Sequence, residues 1–194
     1  SKNYYVINNE VYDKREKNKK LDLNDVKTKI KIYSDRVGEW FLEIAEKLKK
    51  NNEAGFIILS IAISYIEGNQ QFREGKLSKN NSKKFFIKGV KRIFDKTDVK
   101  ENILADYYSQ VRCGLFHDGM TKSNVLISGE FQEPLRYVDE IIKINPHKFL
   151  DKIKEDFQRY VKDLEYGDNK KLIENFIKRF DLEQDKGIWN KSQN

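Results

Sequence analysis

The chain is poor in several residue types at once: of 194 residues, one is cysteine, two are proline and two are histidine. A single thiol, Cys113, excludes an intrachain disulfide and a cysteine-rich zinc site, and makes an intracellular, cytoplasmic setting the default expectation. The two histidines, His117 and His147, are too few for a multi-histidine metal site within one chain. Scarce proline, with only 10 glycines, argues against a loop-rich or disordered protein. The longest apolar run, Gly55 to Ile66, falls short of the roughly 20 residues a membrane-spanning helix needs, and no signal peptide precedes it. Gly-rich phosphate loops, HExxH, DxDxDG and Gly-x-Ser-x-Gly are all missing. No cofactor and no metal are therefore expected.

What is present is charge. Charged residues make up 36% of the chain and hydrophobic ones 38%, with a net charge of +7, a composition that favours polyanionic partners. The excess is concentrated. Arg73 to Lys100 holds ten basic and three acidic residues, 10 − 3 = +7, the whole surplus. Asp151 to Lys186 holds nine basic and ten acidic residues, close to neutral.

Periodicity predicts a mainly α fold, a helical bundle in residues 33–187, with an N-terminal segment at 1–32 and a frayed tail at 188–194. In the first segment Tyr4 to Ile7 reads as an edge strand and Lys14 to Lys20 as a solvated charge run. A helix begins near Tyr33, with Val37, Trp40, Phe41, Ile44, Ala45 and Leu48 as its apolar stripe. A second spans about Glu53 to Gly75, apolar nearly all round from Phe56 to Ile66, as suits a buried centre. In a third, after Ser78–Ser82, Phe86, Val90, Ile93 and Phe94 face inward, leaving Lys84, Lys88 and Lys91 together outside. That basic stripe is a solvated face or a track for a polyanion backbone. A fourth helix runs from about Lys100 to Cys113–Gly114. The period then changes: Asn124–Gly129 and Arg136–Ile144 read as a small β-hairpin. Asn145 caps a helix with Pro146 at its start and Phe149, Ile153, Phe157, Tyr160 and Leu164 inside. A last helix carries Leu172, Phe176 and Phe180. His147, at a helix start, reads as a surface or capping residue.

His117 has different company. Arg112 precedes it by five residues, at the end of an apolar helix. In a straight α-helix that spacing turns the chain by about 500°, leaving the two side chains about 140° apart. They converge only if the helix is distorted or ends near Gly114, or if a second chain completes the site.

The stretch Tyr107-Tyr108-Ser109-Gln110-Val111-Arg112-Cys113-Gly114-Leu115-Phe116-His117-Asp118-Gly119-Met120-Thr121-Lys122 resembles the signature of HEPN domains, an Arg followed by four to six residues and a His. Its Arg-Cys-Gly-Leu-Phe-His-Asp-Gly form is similar to one bacterial group, in which a preceding helix ends in an acidic residue and Gly, here Glu67-Gly68. The chain departs from many active members in carrying Cys113, read here as a small buried residue, where they have a polar one. The resemblance implies a HEPN-like bundle with the hairpin inserted after the motif helix. It also implies a metal-independent endoribonuclease acting on single-stranded RNA, in a toxin or anti-phage setting, with an antitoxin or regulatory protein as a further partner. Arg112 and His117 would be catalytic, and a homodimer with the motif at its interface would supply the second histidine that acid–base catalysis wants. Asp118 and Glu67 would orient the pair, Tyr108 would stack on a base, and Lys122 with Lys84, Lys88 and Lys91 would follow the RNA backbone. Two alternatives stand beside this: a non-catalytic HEPN-like module binding RNA, a nucleotide or a protein, and a helical interaction protein with a basic face.

Overall fold

The computed structural model describes residues 3–7, 10–95, 101–114 and 124–185. In chain order these form β1 (Tyr4–Ile7), β2 (Glu10–Asp13), β3 (Lys19–Lys20), α1 (Val26–Val37), a π-helical segment (Gly38–Leu42) and α2 (Glu43–Leu48). Next come α3 (Gly55–Glu74), α4 (Ser82–Phe94), α5 (Glu101–Tyr107), a second π-helical segment (Tyr108–Cys113), β4 (Val125–Ile127), β5 (Leu135–Val138), β6 (Ile141–Ile144), α6 (Pro146–Tyr166) and α7 (Lys170–Asp185). The fold is mainly helical with two small sheets. Among the described residues, no helix is long and apolar enough to cross a membrane.

Helix α3 is the centre, packed by α4, α6 and α7. Ile58, Leu59, Ala62, Ile63 and Ile66 are almost fully buried, as an apolar surface on several sides requires. It begins more openly than its composition implies, with Phe56 and Ile57 exposed in its first turn. Gly75 closes it in the left-handed conformation at φ 65°, a position that favours glycine. Helix α4 crosses α3 where Gly89 meets Ile66; a Cβ on Gly89 would stand 2.5 Å from Ile66 Cγ2. The inward side of α4 is broader than expected, since Phe85 and Ile87 are buried beside Phe86 and Val90. Asn145 caps α6 as the sequence predicts. Its Oδ1 accepts from the His147 and Lys148 amides at 3.0 and 3.1 Å, and its Nδ2 donates to the Gly129 and Phe131 carbonyls.

Three expectations need correction. Helix α1 starts at Val26, not near Tyr33, because Asp25 caps it by accepting from the Thr28 amide at 2.9 Å. The stripe after Val37 does not keep an α period, because the Gly38–Leu42 π turn inserts a residue and rotates every side chain beyond it. The inward positions become Leu42 and Ala45, while Phe41 and Ile44 face solvent at 50% and 45% exposure. Finally, Arg136–Ile144 is not one strand paired with Asn124–Gly129. It folds into β5 and β6 about Asp139–Glu140, both at positive φ as a tight two-residue hairpin turn demands. β4 then pairs with β6 in parallel, giving the order β4-β6-β5.

The N-terminal sheet is tied to α1 by charge. Asp13, fully buried, accepts from Arg15 Nε at 3.0 Å and Nη2 at 2.8 Å and from Lys31 at 3.2 Å. Arg15 also reaches Asp35 at 2.6 Å and Glu39 at 3.5 Å. Part of the expected solvated charge run therefore serves as an internal clasp.

Candidate functional site

The segment that carries Arg112 enters through α5, where Leu104 and Tyr107 are buried and Tyr107 packs on Phe86 of α4 with ring centroids 5.3 Å apart. From Tyr108 the winding loosens to π-helix, in which each amide bonds five residues back rather than four. Val111 stays fully buried, which fixes the segment's rotation against the core. Gly114 continues in right-handed helical conformation at φ −58°, so through this residue the helix has not ended. A distortion directly precedes Gly114, in the π segment itself, and the chain from 115 to His117 lies outside the described residues.

This winding turns Arg112 towards α3. Its Nη2 sits 3.4 Å from Glu67 Oε2, with the two side chains 25% and 14% exposed. Its guanidinium carbon lies 5.6 Å from the centre of the Tyr108 ring. Tyr108 in turn touches Phe86 at 5.5 Å. Burial pushes the Tyr108 phenol above its ordinary pKa, and the Arg112 charge opposes that rise. The structure thus brings together Arg112, Glu67 and Tyr108, from segments 45 residues apart in sequence. Glu67-Gly68 does not end a helix; α3 continues through both to Glu74. Cys113, expected to be buried, is partly exposed beside Tyr108.

His117, Asp118 and Lys122 lie outside the described residues. Of the basic stripe, Lys84 and Lys88 are exposed and Lys91 is partly so. Lys88 pairs with Glu74 of α3 at 2.8 Å. Glu67 and Glu74 are seven residues apart on α3, two turns or about 10 Å along one face. Arg112 and Lys88 consequently border the same side of that helix. His147 is partly buried and engaged through its backbone amide. Among the described residues, no group of three or more His, Cys, Asp and Glu is placed to hold a metal ion.

A second polar cluster has no counterpart among the sequence expectations. Arg73, Arg92, Asn69, Tyr65 and Asp156 meet between α3, α4 and α6. A sequence signal for it exists. Asp156 lies between Ile153 and Tyr160 on the buried stripe of α6, where a carboxylate needs a cationic partner.

Comparison with protein-family models, with curated proteins and with solved structures finds no match to this chain.

Proposed function

We propose that the chain is a HEPN-type, metal-independent endoribonuclease in which Arg112 holds the scissile phosphate and His117 transfers protons. The observation that carries this reading is the mounting of Arg112. A guanidinium only a quarter exposed is set on a π-helical turn, tethered by Glu67 and backed by the Tyr108 ring. Irregular helical turns recur at functional sites, and a pre-oriented guanidinium is suited to a phosphate whose oxygens gain charge during reaction. The basic surplus of Arg73 to Lys100, with Lys88 on the same side of α3, supports a polyanionic substrate.

In this reading the RNA 2′-oxygen attacks the adjacent phosphorus while an imidazole accepts its proton. The bond from phosphorus to the 5′-oxygen breaks, and the leaving oxygen gains a proton from a second imidazole. The products are a 2′,3′-cyclic phosphate and a 5′-hydroxyl. An imidazole titrates near neutrality and serves either step, whereas arginine stays charged throughout. Two copies of the chain, paired at the motif, would supply both histidines. Phe41, Ile44, Phe56 and Ile57 leave apolar surface exposed on α2, its preceding π turn and the start of α3.

The test is incubation of the protein with single-stranded RNA in EDTA, comparing the natural chain with Arg112→Ala and His117→Ala. The expected result is cleavage with cyclic-phosphate ends, reduced about a thousandfold by either substitution. Cleavage that survives both overturns the assignment. Binding without cleavage in all three proteins favours a non-catalytic RNA-binding module, a reading to which Cys113 after the motif arginine lends weight.

A further inference from the structure

Asp156 is 5% exposed and accepts hydrogen bonds from the Tyr65 hydroxyl at 2.8 Å, from Arg92 Nη1, and from Arg73 Nη2 at 3.4 Å. Asn69 Oδ1 takes a further bond from each guanidinium, from Arg73 Nε at 2.8 Å and Arg92 Nη2 at 3.1 Å. The Arg73 guanidinium lies 4.3 Å from the centre of the buried Tyr160 ring. The two arginines are therefore fixed side by side by one carboxylate and one amide.

The charge does not balance. Two guanidiniums face one carboxylate, and among the described residues no other acid contacts either arginine. The donors do not balance either. Among the described residues, Arg92 Nε and the Tyr160 hydroxyl are buried with no hydrogen-bond partner. A buried cation without a counter-charge is costly, and an orphaned donor adds to that cost. Burial accordingly weakens the hold of Arg92 on its proton despite the nearby Asp156. The cluster still reaches solvent, with 16% of the Arg73 and 28% of the Arg92 side chain exposed.

We propose that the Arg73–Arg92 pair is a binding site for a small oxyanion, a phosphate group in particular. Each guanidinium has five N–H donors and spends two of its nitrogens on Asp156 and Asn69, so an anion here supplies the missing counter-charge and an acceptor for the remaining donors. Asp156 and Asn69 hold the guanidiniums in place, and Asp156 offsets half their charge. The site is separate from Arg112. Glu67, which tethers Arg112, and Asn69 are two positions apart on α3 and so about 200° apart around it. Free phosphate and a nucleotide's terminal phosphate share this chemistry, so both enter the test.

Thermal unfolding is followed while inorganic phosphate replaces chloride at constant ionic strength, with adenosine 5′-monophosphate and adenosine in parallel. At tenfold excess over Kd, phosphate is expected to raise Tm saturably by roughly 3–6 °C, with no effect of adenosine. Arg92→Gln is expected to weaken phosphate binding by about tenfold or more. Asp156→Asn removes the competing negative charge, so it is expected to bind phosphate more tightly although the unliganded protein is less stable. That opposite sign separates a ligand site from a purely structural cluster. A response equal to that of chloride, or one unchanged by Arg92→Gln, overturns the proposal, as does an Asp156→Asn protein that binds no better than the natural one. Adenosine 5′-monophosphate binding more tightly than phosphate supports the site with a nucleotide as its source; equal binding supports it with free phosphate.

Discussion

The two π-helical segments share a backbone device and differ in what their charged residue does. In Gly38–Leu42 the acid Glu39 turns towards the N-terminal sheet, where Arg15 reaches it at 3.5 Å and Asn3 donates to it. That acid belongs to a network of opposite charges: Asp13, Asp35 and Glu39 with Arg15 and Lys31. In Tyr108–Cys113 the cation Arg112 meets Glu67 at a long 3.4 Å and lies over an aromatic face. A π turn is therefore not itself the mark of a site. The first serves to lock an added sheet onto α1, and the second holds a partly exposed guanidinium between Glu67 and an aromatic ring. Substitutions at the first should cost stability, and under the proposed function substitutions at the second should cost activity.

The largest stability loss is expected at the first segment's anchor. Asp13→Ala removes the buried acceptor that Arg15 and Lys31 share and should destabilise the protein by about 1–3 kcal/mol in urea titration, with RNA cleavage per folded molecule unchanged. An effect under about 1 kcal/mol would show that the clasp is ornamental to the fold. The pH dependence sharpens the same point. Hydrogen bonding to Arg15 holds the Asp13 carboxyl well below the usual carboxylate range, and Asp35 is also lowered by Tyr4, Arg15 and Lys31 against the opposing effect of burial. Their folded-state pKa values lie below the unfolded ones, so their stabilisation is present above about pH 4 and lost as pH falls below it. At the other extreme, burial, followed by the bond to Asp35, pushes Tyr4 up to about 12. Its folded-state pKa lies above the unfolded one, so that contribution is complete below about pH 10 and lost as pH rises through about 12. Asp13→Asn should flatten the acid limb and Tyr4→Phe the alkaline limb of a stability–pH curve. Arg112→Ala should leave the acid limb unchanged.

The same contrast explains what sequence periodicity can reveal. Helix α3, the Asn145–Pro146 start of α6 and its stripe of Phe149, Ile153, Phe157, Tyr160 and Leu164 are legible because each follows an uninterrupted α period with a recognisable cap. Phe41 and Ile44 fall on the wrong face of a periodic reading because one inserted residue in a π turn moves every later side chain. The β5–β6 hairpin reads as one strand because Asp139 and Glu140 adopt positive φ without the Gly or Asn that usually announces it. Glu67, singled out by the family resemblance, and Tyr108, expected to stack on a base, both touch Arg112, and Tyr108 faces the guanidinium of its own segment. The Arg73–Arg92–Asp156 cluster joins residues 64 and 83 positions apart, a distance over which no local period carries information.

The smallest effect, and the most discriminating for the second segment, concerns Glu67. If it positions Arg112, Glu67→Gln keeps an acceptor but loses the charge that aims the guanidinium. Cleavage should fall about tenfold, in kcat more than in KM, while stability changes by less than about 1 kcal/mol because the pair is partly exposed. Glu67→Asp, with the charge retained on a shorter arm, should recover part of the loss. A merely structural Glu67 would show the reverse pattern, a lowered urea midpoint with kcat unchanged. Equal cleavage by Glu67→Gln and the natural chain would leave Arg112 aimed by the Tyr108 face and the π turn alone, removing the one feature of this segment that parallels the Glu39 contacts of the first.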